Sequence, residues 1–223
     1  MSVRPRGHAC CDGNTPEGLQ LETILGLCAR AVATPEQYCR LVSETDVFEL
    51  WKKLPERAEQ HGLAPLANLH LNAAEALVPK ETRRTLKALH ARHRAASEVR
   101  TRFLSEILAE LRQRRIDVLV LKGGALAYLA YPAPDLRPMR DVDLLVRKPE
   151  TQQAQQALFD LGFAIDPESE PTLPSGHHHL PIVFKVEAGV KISVEIHDNL
   201  FPKTRYYASK RFEDLEGEAL EFK

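Results

Sequence analysis

Cysteine is scarce in this chain and is confined to its first part. The four cysteines are Cys10, Cys11, Cys28 and Cys39, and no two of them have the Cys-x-x-Cys spacing. This distribution argues against a disulfide framework and against a zinc site. Long apolar runs are also missing, because no stretch approaches the ~20 apolar residues of a membrane span, and the N-terminus lacks the apolar core of a signal peptide. We therefore expect a reduced, cytoplasmic protein without membrane contact.

A strong net charge is absent as well. The formal net charge is -1 and the isoelectric point is near 6.8, so no global charge attracts the chain to nucleic acid or to an anionic membrane. Charge is concentrated locally instead, because residues 80–115 contain eleven Lys/Arg against four Glu. This basic block is either the solvated face of a helix or a contact surface for RNA, nucleotide phosphates or an acidic partner.

Proline and hydrophobic periodicity divide the 223 residues into three regions. Residues 1–14 show no periodicity and are predicted to be disordered. Residues 15–115 are predicted to be helical, because cap-then-proline helix starts occur at Thr15-Pro16 and Thr34-Pro35 and an apolar stripe follows Pro79. From residue 116 onward strands and helices alternate, with strands predicted at 117–121, 140–146, near 180–187 and at 190–197, and helices at 124–131 and 149–161. The expected fold is α+β, with a helical leader packed on a small mixed-sheet domain.

A pair of glycines follows a short buried strand at the start of the third region. The run 118–121 is apolar and rich in β-branched residues, which is typical of a strand that ends at Lys122. Gly123 and Gly124 come next, and good helix formers fill residues 125–131. The glycines therefore lie where a strand passes into a helix N-terminus, and free amides at such a place can face an anion.

Two aspartates separated by one residue form a second motif. Asp141 and Asp143 point to the same face of an extended strand. Such a carboxylate pair repels itself unless a cation lies between, and oxygen ligands suit Mg²⁺ or Mn²⁺ rather than zinc. Residues 190–197 alternate with period two, which places Glu195 on a polar face with an apolar reverse side. Glu195 can supply a third carboxylate if the two strands are neighbours in one sheet.

Three cations flank these motifs. Lys122, Arg137 and Arg140 lie close in sequence to the glycines and the aspartates. A triphosphate with its metal needs additional positive charge, so each of the three is a candidate phosphate contact. The alternative for each is an exposed cation on a loop.

Histidines occur beside the third carboxylate and in one run. His197 lies two residues beyond Glu195 on the same predicted face. It either contacts a substrate, supports the ligand residues from behind, or is an ordinary polar residue of the strand. The run His177-His178-His179 follows Pro-Ser-Gly and is predicted to be a mobile polar loop rather than a zinc site.

The order of these motifs resembles the DNA polymerase β-like nucleotidyltransferase superfamily. Within it, the chain is similar to a largely uncharacterised bacterial nucleotidyltransferase family. The likeness covers roughly residue 19 to the end, and the Asp-x-Asp segment with its Arg-Pro-Met-Arg lead-in is its most specific part. The segments that carry it are residues 50–51, 58–66, 120–126, 131–132, 136–146, 161–163 and 194–197. One departure is Gly124, because the superfamily favours Gly-Ser after the first strand and backbone amides must here replace a hydroxyl.

The resemblance implies a metal-dependent nucleotidyltransferase. Such an enzyme moves an NMP group from an NTP to a hydroxyl-bearing acceptor by in-line displacement with two metal ions. In this interpretation Asp141, Asp143 and Glu195 are catalytic and hold Mg²⁺ or Mn²⁺. The two glycines, with Lys122, Arg137 and Arg140, bind the nucleotide.

The resemblance leaves the acceptor and the extent of the domain open. Residues 116–223 are expected to form the catalytic domain, truncated at its C-terminus because the family generally continues with more helices. The acceptor is a small molecule, a peptide or protein, or RNA. Two other functions remain open: a nucleotide-binding regulatory or peptide-maturation/defence module without turnover, and an RNA-binding helical protein that uses the basic block at 80–115.

Overall fold

A computed structural model describes residues 16–167, 178–201 and 209–220. In this part of the chain there are seven α-helices and a mixed sheet of five strands. The predicted α+β class is thus confirmed, whereas the disorder predicted for residues 1–14 lies outside the described residues. The chain divides after His93, inside its longest helix, into two compact units. None of the helices in the described ranges is both long enough and apolar enough to cross a membrane.

The first unit is helical, and its first two helices begin at Pro16 and Pro35, as the proline pattern predicts. Thr34 is the N-cap of the second helix: its hydroxyl accepts a hydrogen bond from Gln37 N (3.4 Å), and the Gln37 side chain accepts one from Thr34 N (2.9 Å). This reciprocal pair satisfies two amides that a helix start otherwise leaves without acceptors. The helices are α1 (Pro16–Cys28), α2 (Pro35–Asp46), α3 (Leu54–Gln60), α4 (Ala64–Ala73) and α5 (Lys80–Gln113), of which α5 continues into the second unit.

Apolar side chains of these helices form the core of the first unit. Ile24, Leu41, Leu54 and Leu71 are all at most 2% exposed and pack in one cluster with Leu86 of α5. Each such side chain contributes about 1.5–3 kcal/mol through removal of its surface from water. The helical prediction for this part of the chain therefore agrees with the structure.

The second unit contains the sheet, whose strand order is β1-β2-β5-β4-β3. Strands β2 and β5 pair in parallel, and the other three pairs are antiparallel. The elements are β1 (Val118–Val120), α6 (Lys122–Leu129), β2 (Asp141–Val146), α7 (Thr151–Asp160), β3 (Ala164–Ile165), β4 (Val183–Glu187) and β5 (Val190–His197). The helix after the glycine pair begins two residues earlier than predicted, so both glycines lie within its first turn.

The parallel pair β2–β5 separates an apolar face from a polar one. Asp143 is the register partner of Glu195, and Asp141 is the partner of Ser193. The alternate residues of both strands enter the core of the second unit, where they pack with residues of α5 and α7: Val142, Leu144, Val146, Ile192, Val194 and Ile196. The predicted pairing of these two strands is confirmed, and it places the carboxylates on the face away from this core.

Gly124 is required by the close packing of α6 on β1. A Cβ atom at Gly124 would lie 2.9 Å from Val120 Cγ1, whereas one at Gly123 would have no neighbour closer than Met139 Cγ at 3.8 Å. Val120 is β-branched and its side chain cannot easily turn away. The absence of the serine that the superfamily favours thus has a steric reason in this chain.

Serine substitution at the two glycines should separate their roles. Gly124→Ser should lower the free energy of unfolding by about 1–3 kcal/mol, because its Cβ forces Val120 or α6 to move. Gly123→Ser, the matched control, should change it by less than about 0.5 kcal/mol. Urea unfolding followed by circular dichroism measures both. Equal losses for the two variants would contradict the packing argument.

Candidate functional site

The two parallel strands bring two carboxylates side by side at the end of β1. Asp143 is buried (4% exposed) and Glu195 is half-buried. Leu121 N donates to Asp143 O (2.9 Å), which joins the start of the glycine turn to β2. Asp141 is exposed. It is the first residue of β2 and lies two residues before Asp143 on the same face of the strand. The three predicted carboxylates therefore lie on one face of the sheet, next to the N-terminus of α6.

One oxygen of Asp143 is the centre of the polar contacts. Lys122 Nζ lies 2.7 Å from Asp143 Oδ1, and His197 Nε2 lies 2.8 Å from the same atom. His197 Nε2 also lies 3.3 Å from Glu195 Oε2. The lysine that the sequence predicted to contact phosphate is thus paired with Asp143, and its phosphate role stays a prediction.

The pKa values of the three carboxyl groups shift in different directions: those of Asp143 and Glu195 are lowered, and that of Asp141 is raised. Burial acts to raise the pKa of Asp143, but the hydrogen bonds with His197 and Lys122 outweigh it and hold that pKa below its usual range. The hydrogen bond with His197 likewise lowers the pKa of Glu195. Partial desolvation of the carboxyl group, followed by the charges of Asp143 and Glu195, raises the pKa of Asp141. The charges of the two neighbouring carboxylates thus oppose ionisation of Asp141, and a cation would relieve that repulsion.

His197 belongs to a cluster of three imidazoles. It is fully buried, and its ring centroid lies 5.2 Å from that of His178 and 5.4 Å from that of His179. Burial opposes protonation of His197, but its hydrogen bonds with Asp143 and Glu195 raise its pKa. Burial and the neighbouring His197 lower the pKa of His178.

The prediction of a mobile loop is wrong for two of the three consecutive histidines. His178 O accepts a hydrogen bond from Asp198 N (2.9 Å), and His179 forms an antiparallel bridge with His197. Both side chains are half-buried. Local sequence gives no signal for this contact because the partner residues are distant in the chain, and His177 lies outside the described residues.

Three ligand atoms converge closely enough to hold one metal ion. Among the described residues, one oxygen each of Asp143 and Glu195 and one nitrogen of His197 all lie within 4.8 Å of one another. This group contains two of the three predicted metal ligands and replaces Asp141 with His197. The metal-binding role of Asp141 stays a prediction.

The remaining predicted nucleotide contacts lie at the start of α6 and beside it. The first hydrogen bond within the helix joins Ala125 N to Leu121 O (3.2 Å), so the amides of Gly123 and Gly124 have no acceptor inside the helix. Arg137 Nη1 donates to Tyr131 Oη (3.3 Å). A Cβ built on Gly123 would lie 3.9 Å from Arg137 Nε, so this guanidinium borders the glycine turn. Arg140 is exposed next to Asp141, and nothing in the structure tests its predicted role.

Comparison with known proteins identifies the family. A family model described as "Uncharacterised nucleotidyltransferase" matches residues 49–222, which is most of the chain. The chain belongs to this nucleotidyltransferase family. No curated protein matches the sequence. Family membership supports the general class of a nucleotidyltransferase with a nucleotide substrate, and the converging Asp, Glu and His side chains are consistent with use of a divalent metal.

His197 and His178 of this nucleotidyltransferase should affect stability with opposite pH dependence. The pKa of His197 is raised in the folded protein, so its protonation stabilises the fold below about pH 6.5 and this contribution is lost as pH rises through the folded pKa. The pKa of His178 is lowered, so His178 destabilises the fold as pH falls below about 6.5.

Urea unfolding of the metal-free protein at a series of pH values measures these contributions. A range of about pH 5 to 9 is sufficient because it spans the ordinary pKa of histidine. The stability lost in His197→Gln should shrink as pH rises. In His178→Gln, the variant should gain stability relative to wild type as pH falls. Parallel pH profiles for wild type and both variants would contradict the assignment.

Proposed function

We propose that this protein transfers an NMP group from an NTP to a hydroxyl-bearing acceptor, with Mg²⁺ or Mn²⁺ held by Asp141, Asp143 and Glu195. The observation that supports this most is the register of the parallel strands, which pairs Asp143 with Glu195 beside the glycine turn. Family membership supports the same class of reaction.

The residues at this face fit a hard divalent cation. Carboxylate oxygens are the ligands that Mg²⁺ and Mn²⁺ prefer. Desolvation, followed by the charges of Asp143 and Glu195, raises the pKa of Asp141, so a cation bound there would favour its ionised form. Lys122 and His197 both contact Oδ1 of Asp143. Asp141, Asp143 and Glu195 would hold the ions.

In this reaction the protein contributes mainly by positioning the reactants and by stabilising charge, and it forms no covalent bond to the substrate. A bound divalent ion would neutralise phosphate charge and lower the pKa of the attacking hydroxyl. The hydroxyl oxygen attacks the α-phosphorus, and the bond to the departing pyrophosphate breaks. Glu195, which its hydrogen bond with His197 keeps ionised, would accept the proton of the hydroxyl.

The start of α6 and the nearby cations would bind the triphosphate. The amides of Gly123 and Gly124 can donate to phosphate oxygens, and the helix N-terminus adds partial positive charge. The side chain of Lys122 is half exposed, so its ammonium can exchange Asp143 for a phosphate. Arg137 borders the same turn. Arg140 lies at the exposed start of β2 and would approach the outer phosphates.

The RNA-binding alternative has weaker support. Several cations of the basic block contact neighbouring groups and are not displayed as an open basic surface. Arg83 donates to Asn72 and Ala76, Arg92 pairs with Glu59, Arg102 pairs with Glu187, and Arg114 pairs with Glu110 and Asp160. This arrangement is typical of a solvated helix with local ion pairs.

Metal binding should be visible as a change in stability. Mg²⁺ or Mn²⁺ should raise the thermal midpoint of the wild type, and more so with NTP, because an ion at tenfold excess over its Kd adds about 1.4 kcal/mol. Asp143→Asn should abolish this rise. Asp160→Asn makes the same chemical change at an exposed ion pair with Arg114 and should retain it. An unchanged wild-type midpoint across a millimolar titration, with and without NTP, would contradict metal use.

Glu195→Gln should separate chemistry from binding. The change keeps the shape of the side chain but removes its charge, so NTP should still bind while transfer falls by orders of magnitude. Pyrophosphate release, measured with each of the four NTPs, Mg²⁺ and candidate acceptors, is the readout. Glu187→Gln is the control, because Glu187 ends β4 and pairs with Arg102 on the surface. Equal transfer by wild type and Glu195→Gln would remove Glu195 from the mechanism.

A further inference from the structure

His197 presents a nitrogen between the two carboxylates of the parallel strands. Its Nε2 lies 2.8 Å from Asp143 Oδ1 and 3.3 Å from Glu195 Oε2. Neighbouring ligand atoms of a six-coordinate ion of the size of Mg²⁺ lie about 3 Å apart, since each is 2.0–2.1 Å from the ion at right angles to the next. The two measured separations therefore match those between adjacent ligands of one ion.

The imidazole is held in this orientation by its surroundings. His197 is fully buried at the end of β5, where its register partner on β2 is Leu145. The rings of His178 and His179 lie against it at 5.2 and 5.4 Å. Its place at the end of β5 and its contacts with Asp143 and Glu195 keep the side chain beside the carboxylates, and the two rings pack against it. The imidazole is therefore preorganised in this position before any ion binds.

The second ring nitrogen can carry the proton that a ligand nitrogen must lose. A neutral imidazole has one N–H and one lone pair. His197 Nδ1 is buried and forms no hydrogen bond with any residue in the described ranges. In the neutral tautomer with its proton on Nδ1, the lone pair of Nε2 faces Asp143 and Glu195.

We propose that His197 is itself a metal ligand, so that Asp143, Glu195 and His197 form a mixed centre of two carboxylates and one imidazole for one of the ions. The proposal rests on the proposed function for its premise of metal use. Its consequence is selectivity: nitrogen donors strengthen binding of Mn²⁺ and later first-row ions, whereas Mg²⁺ gains little from them. The centre should therefore prefer Mn²⁺ to Mg²⁺ more strongly than a site of carboxylates alone.

A purely supporting role for His197 makes a different prediction. In that case Nε2 keeps its proton and donates to the carboxylates, which alone contact the ion. The two arrangements differ in one bond, that between Nε2 and the ion. A method that detects nitrogen in direct contact with the ion distinguishes them without reference to activity.

Electron spin echo envelope modulation of the Mn²⁺-bound full chain is that method. The spectrum of the wild type should show nitrogen coupled to Mn²⁺, and growth with ¹⁵N-histidine should change the coupling pattern. A variant in which residues 177–179 are all asparagine should keep the coupling, because His197 remains. His197→Gln should lose it and should bind Mn²⁺ roughly tenfold to a hundredfold more weakly, with a smaller loss for Mg²⁺.

The outcomes separate this proposal from the proposed function. Bound Mn²⁺ without histidine coupling would overturn the ligand role of His197 and leave carboxylate metal binding intact. Loss of the coupling in the 177–179 variant would assign it to another histidine and also overturn the role. Absence of Mn²⁺ binding, with and without NTP, would overturn the metal-dependent function as well. If His197→Gln does not fold, the labelled wild type and the 177–179 variant still decide the question.

Discussion

The parallel pairing of β2 with β5 is the constraint on which the candidate site depends. Its register places Asp143 opposite Glu195, and a slip of one residue would turn every side chain of a strand to the other face of the sheet. The apolar residues of both strands prevent such a slip, because Leu144 and Val194 are fully buried on the opposite face. The same alternation thus builds the core and gathers the carboxylates, so the site is a direct product of the fold.

Gathering buried negative charge has a cost that the surrounding residues offset. Asp143 is 4% exposed, and a buried carboxylate without a partner is strongly destabilising. Lys122 and His197 both contact its Oδ1, which keeps its pKa low despite burial. Asp141 receives less compensation and has a raised pKa. The carboxylate of Asp143 thus has partners that favour its charge, whereas that of Asp141 is repelled by its neighbours. Such a face is suited to bind a cation together with a nucleotide.

The sequence predicts the local elements well and their distant contacts less well. Hydrophobic periodicity locates β1, β2 and β5, and the proline-based starts predicted for α1 and α2 agree with the structure. The two-residue strand β3 carries no such signal, since its residues Ala164 and Ile165 are both exposed. The contacts of Lys122 with Asp143 and of His179 with His197 join residues that are far apart in the sequence. Hydrophobic periodicity is a local pattern and cannot predict such contacts. The division after His93 falls inside one continuous helix, so no helix end marks it in the sequence.

Anomalous diffraction from crystals grown with Mn²⁺ and a non-hydrolysable NTP analogue tests the central claim most directly. The claim is that the β2–β5 pair and the glycine turn together bind a metal–nucleotide complex. It predicts an anomalous peak within about 2.5 Å of carboxylate oxygens of Asp143 and Glu195, with the triphosphate against the amides of Gly123 and Gly124. A Mn²⁺ peak bound elsewhere on the chain, or a triphosphate remote from the glycine turn, would contradict the account.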